Sequence, residues 1–78
     1  MPIQANSTIK TYFEIVYDYH RKVMFNEYPR NKAFYIERMF VYLEDIKDIY
    51  NIIDFNRTQA DKNYVSAVEF MCNEVSNM

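Results

Sequence analysis

The sequence predicts an all-α fold: a three-helix antiparallel bundle, or an extended helical hairpin with a third helix laid on it. Three observations predict it. Ile36, Met39, Leu43, Ile46, Tyr50 and Ile53 recur at spacings of three, four, three, four and three residues, a sustained heptad seam. Gly is absent and Pro occurs only twice, at Pro2 and Pro29, so hairpin turns that need positive φ lack their usual residue. Two short polar breaks, 27–31 and 54–57, divide the chain into three amphipathic segments, expected as helices over about 8–28, 31–55 and 58–76. Links this short place successive helices side by side and antiparallel.

The first segment starts near Ser7 or Thr8, both of which can accept a hydrogen bond from a free backbone N–H. Thr11 to Glu14 also has the capping-box form. Ile9, Tyr12, Phe13, Val16, Tyr19, Val23 and Met24 share a face, with Lys10, Glu14, Asp18, Arg21 and Lys22 opposite. Asp18 lies one turn before Arg21 and Lys22, which suits side-chain pairing along the helix. His20 falls within the apolar face. It reads first as a core histidine bonded to a Tyr or a backbone carbonyl, with a pH-sensitive contact or half of an intersubunit metal site as the sharper alternatives. Pro29 is expected to stop the helix, with Tyr28 extended before it.

The middle segment is the spine. At 1.5 Å per residue it would span roughly 36 Å. Asn31 can cap it. Phe34, Val41 and Ile52 project away from the seam, so the spine has more apolar surface than two flanking helices of one molecule can cover. Those three are the expected self-association residues, and a homodimer is the expected assembly. Beside the seam runs a second row, Tyr35, Arg38, Tyr42, Asp45 and Ile49. Tyr and Arg dominate binding hot spots, so this row is the expected partner surface; the plainer reading is that its Tyr and Ile residues widen the core. Glu44, Asp45, Asp48 and Asp54 crowd the second half, whereas Arg21, Lys22, Arg30 and Lys32 gather at the first hairpin end. That basic end is the expected anion contact, or else a solvated turn.

In the last segment, Asn56 is expected in left-handed geometry, ending the spine. Thr58 caps the third helix, with Asp61 aiding the dipole. Ala60, Tyr64, Ala67, Val68, Met71 and Val75 form its core stripe, with Cys72 at the margin and Phe70 off it.

Composition bounds the function. Seventy-eight residues make at most one domain. One cysteine excludes an intrachain disulfide, and no spacing suggests a metal site or cofactor. A net charge of −2 gives no general attraction to nucleic acid or anionic membrane, and no run reaches the length of a membrane span. Met1 to Ser7 has no basic or apolar leader character, so no signal peptide and a cytoplasmic location are expected. Abundant Asn, Ile, Tyr and Lys without Gly suits A+T-rich coding, as in phages and mobile elements. No nucleophile–base pair, carboxylate pair or phosphate loop is found, so catalysis is not expected. The leading expectation is a protein–protein interaction module, an adaptor or inhibitor that covers a partner's surface, in a host cytoplasm if phage-encoded. A small dimeric nucleic-acid-associated regulator using the basic hairpin end, and a structural oligomer subunit, are the alternatives.

Overall fold

The computed structural model describes residues 7–52 and 57–77. They form α1 (Ser7–Met24), a short 3-10 turn (Pro29–Asn31), α2 (Lys32–Ile52) and α3 (Gln59–Ser76). There is no strand among the described residues. The architecture is the predicted all-α three-helix bundle.

Cross-helix contacts fix the directions. Tyr12 meets Tyr42 and Tyr19 meets Tyr35, so α1 and α2 run antiparallel. Cys72 reaches Met39 and Glu69 reaches Lys47, so α2 and α3 are antiparallel too. Phe13 against Tyr64 and His20 against Glu74 leave α1 and α3 parallel. The bundle measures 43 × 21 × 18 Å, as three side-by-side rods require.

The core follows the heptad reading closely. Ile9, Val16 and Val23, seven residues apart, bury one line of α1. Met39, Leu43 and Ile46 do so on α2, and Val68, Met71, Cys72 and Val75 on α3. Each fully buried aliphatic side chain contributes about 1.5–3 kcal/mol. Ile36 and Tyr50 pack half-buried at the ends of the spine's seam. Cys72 sits inside the core rather than at its margin, because α3 turns that side onto the Met39 carbonyl.

The helix ends differ from expectation in instructive ways. α1 already includes Ser7 and Thr8, so its capping position precedes Ser7 and lies outside the described residues. Thr11 is interior; its Oγ1 donates to the Ser7 carbonyl at 2.8 Å. At the other end α1 stops at Met24, well before Pro29. Asn26 takes φ 53°, and the N–H groups of Asn26 and Glu27 donate to the carbonyls of Val23 and Lys22. That is a Schellman cap with Asn in place of Gly. Met24, the last residue of the helix, is exposed rather than part of the core face.

Asn31 does not cap α2. The Pro29–Asn31 turn runs straight into the helix, with Lys32 already at φ −55°, ψ −48°, so no extended cap residue intervenes. The expected continuation of α2 to 55, with Ile53 and Asn56, lies outside the described residues. Thr58 caps α3 as expected, and the cap is reciprocal. Asp61 N–H donates to Thr58 Oγ1 and Thr58 N–H donates to Asp61 Oδ2, each at 3.0 Å. Asp61 is fully buried in this box, so it does more than oppose the dipole.

Candidate interaction surface

The row Tyr35, Arg38, Tyr42, Asp45 and Ile49 lies along the groove between α2 and α1. Helical periodicity brings all five to one side. Antiparallel packing then sets α1's Tyr12 and Tyr19 against them. Tyr19 stacks on Tyr35 at 5.2 Å, and Tyr42 lies 5.5 Å from Tyr12 and 6.1 Å from Tyr19. Ring pairs of this kind contribute about 0.5–1.5 kcal/mol each beyond burial. Tyr35, Tyr42 and Ile49 are therefore half-buried against the chain's own core, and only their outer edges face solvent. Arg38 donates from Nη2 to Tyr42 Oη at 3.3 Å, with its guanidinium carbon 5.0 Å from the same ring's centroid. The Tyr42 hydroxyl is the main reason its pKa is raised further, with Asp45 adding to it.

The four basic residues are not equivalent. Lys22 is held at 3.0 Å by Asp18, and its Nζ lies 5.8, 5.9 and 5.5 Å from the ring centroids of Tyr19, Tyr28 and Tyr35. The contact with Asp18 is the main reason its pKa is raised. An ammonium among three aromatic faces is a cation–π arrangement, filled here by the chain itself. Arg21 stands 3.7 Å from the same carboxylate and is otherwise exposed. Arg30 is exposed in the 3-10 turn, and Lys32 is half-buried at the start of α2. One carboxylate thus serves two of the four cations.

This hairpin end also holds the densest exposed aromatic surface. Phe25, directly after α1 on the side opposite Val16 and just before the Schellman cap, is 73% exposed. Tyr28 and Phe34 each meet Tyr35 edge-on, at 6.2 and 5.8 Å. Glu27, Tyr28, Pro29, Arg30 and Asn31 line an open concavity beside them. The three off-seam residues also point outward: Phe34 is 55%, Val41 38% and Ile52 79% exposed. Phe70, on the outer side of α3, is 67% exposed.

Several polar contacts escape the sequence. His20 Nε2 is 2.7 Å from Glu74 Oε1 on α3, in place of the expected Tyr or backbone carbonyl. Lys47 bridges to Glu69 on α3 at 3.1 Å rather than to its own helix's acids. The Arg57 guanidinium carbon lies 4.5 Å from the Tyr50 ring centroid. None has a local signal, since each depends on how distant segments pack. Asp18, one turn before Lys22, is the part of the lysine's surroundings that the sequence shows; Tyr19, Tyr28 and Tyr35 appear around it only in the fold. Among the described residues, no three His, Cys, Asp or Glu side chains converge to hold a metal ion. None of the described helices is long and apolar enough to cross a membrane. Comparison with known protein families, curated proteins and solved structures finds no match.

Proposed function

We propose that this chain is a small non-enzymatic interaction module of the cytoplasm, an adaptor or inhibitor that acts by covering a surface of a partner protein. The observation that carries this reading is the first hairpin end. There Phe25, Tyr28 and Phe34 stand in solvent next to Arg21 and Arg30 and continue into the edge of the Tyr35–Arg38–Tyr42 row. Exposed aromatics ringed by arginine match the composition of binding hot spots. The half-buried part of the row serves as a rigid base, since its rings are already locked by α1. The titratable groups with chemical potential support binding over catalysis. Cys72 is sealed in the core, and burial pushes its thiol up to about 11, which withholds the thiolate a nucleophile needs. His20 is engaged by Glu74. A targeting role against a host protein, in a phage or mobile element, fits the small size and the composition.

The test is affinity capture from lysate of the native host, comparing wild type with the double variant Phe25→Asp/Arg30→Glu. Both sites are exposed, so circular dichroism should show an unchanged helical fold. A partner recovered by wild type and lost by the variant supports the reading. Equal recovery by both refutes it, and a shift of labelled DNA or RNA at low salt would replace it with the nucleic-acid reading.

A further inference from the structure

The outer side of α2 carries a second heptad row whose apolar members the bundle leaves uncovered, while its Arg38 and Asp45 are half-buried beside α1. Phe34, Arg38, Val41, Asp45, Asp48 and Ile52 follow at spacings of four, three, four, three and four. That is the spacing of a coiled-coil seam, on the side of α2 turned away from Met39, Leu43 and Ile46. Its three apolar members are all exposed, and Asp48 is exposed between Val41 and Ile52. Isolated exposed apolar residues need no explanation, but three on one heptad row of one helix do.

The order of residues along the row identifies what fits on it. Reverse the row and lay it on itself, with the two-fold axis passing beside Leu43. Phe34 then faces Ile52 of the second copy, Arg38 faces its Asp48, and Val41 faces its Asp45. Every row member meets a row member, and the two outermost layers are apolar on apolar. Parallel pairing keeps the apolar layers together but sets Arg38 on Arg38, Asp45 on Asp45 and Asp48 on Asp48. Like charges in facing positions are a strong discriminator of partner and orientation.

We propose that α2 is the interface of a two-fold symmetric, antiparallel dimer of this chain, in the register Phe34–Ile52, Arg38–Asp48 and Val41–Asp45 across the axis. An isologous contact closes on itself, so the assembly stops at two copies. The row is under three heptads long and has polar central layers, so the dimer is a weak, concentration-dependent one. This goes beyond the proposed binding function. It also narrows that function's surface: Phe34 and Arg38 go to self-pairing, and Phe25, Tyr28, Arg21 and Arg30 at the hairpin end remain for a foreign protein. Purified protein suffices to test it, so its failure is separate from failure to find a partner.

The experiment is sedimentation equilibrium of the wild-type chain from micromolar to millimolar concentration, with charge-swap variants. Expected is a monomer–dimer equilibrium. Ile52→Glu, at an exposed site that leaves the bundle intact, abolishes the dimer. Arg38→Asp and Asp48→Arg each weaken dimerisation about tenfold or more by placing like charges opposite one another, as observed for mispaired facing charges. The double variant Arg38→Asp/Asp48→Arg restores it to near the wild-type constant. A monomer across the whole range overturns the proposal, as does a dimer that survives Ile52→Glu. Failure of the double swap to recover what either single swap loses overturns the register.

Discussion

Alkaline pH should weaken this bundle through Cys72. The side chain is fully buried, and its Sγ–H points at the Met39 carbonyl oxygen, 3.4 Å away. Burial is the leading cause that lifts its pKa from 9.0 to about 11; Lys47 pulls it down and Glu69 pushes it up. Those two charges are joined to each other at 3.1 Å and act on the thiol in opposite senses, which leaves burial in control. The unfolded chain therefore gives up its thiol proton near pH 9, while the folded chain keeps it until about 11. The thiol's contribution is whole below pH 9, declines as pH rises, and is gone by about 11. At about 1.4 kcal/mol per pKa unit, the loss is on the order of 2 kcal/mol by pH 10.5. That is a large share of the stability of a small domain. The assay is urea denaturation followed by circular dichroism at pH 7 and pH 10.5, for wild type and Cys72→Ala. Every other titratable group is common to both proteins, so the difference between the two curves isolates the thiol. At pH 7 wild type is the more stable, by about 1 kcal/mol for the contacts that Ala loses. At pH 10.5 the order reverses. Parallel losses in the two proteins would refute the reasoning, and so would rapid labelling of the native thiol by a disulfide reagent at pH 8.

The remaining expectations concern the scaffold and are checked by the same denaturation assay. Ile46→Ala, at the fully buried centre of the spine, costs about 2–5 kcal/mol. Thr58→Ala removes half of the reciprocal cap of α3 and costs about 0.5–2 kcal/mol. Asn26→Val, at φ 53°, costs about 1–2 kcal/mol, whereas Asn26→Gly is neutral or stabilising. His20 and Glu74, at 2.7 Å and partly open to water, show a coupling of about 0.5–1 kcal/mol in a double-mutant cycle; additive effects would dismiss the contact.

What the sequence discloses about this fold is whatever depends on neighbours in the chain. The seam from Ile36 to Tyr50 was readable because burial on a helix has a period, and Thr58 because a cap lies three residues from its partner Asp61. The end of α1 was misread for a local reason as well. Pro29 is the louder stop signal, but an Asn in left-handed geometry can act sooner, and Asn26 does. The face of the Tyr35–Tyr42 row was legible, yet its occupant was not. Periodicity says which residues lie together; it does not say that Tyr12 and Tyr19 will lie on top of them. The same gap hides Glu74 from His20, 54 residues apart. The candidate surface was legible as a set of residue types. The exposure of Phe25 was legible too, since it lies opposite the apolar face of α1.

The parallel placement of α1 and α3 has a kinetic consequence. The link from Met24 to Lys32 is short, so α1 and α2 can meet, ring against ring, at little loss of chain freedom. The contacts of α1 with α3, Phe13 with Tyr64 and His20 with Glu74, instead close loops of more than fifty residues. They are expected to form after the two neighbouring helix pairs, which short links bring together first.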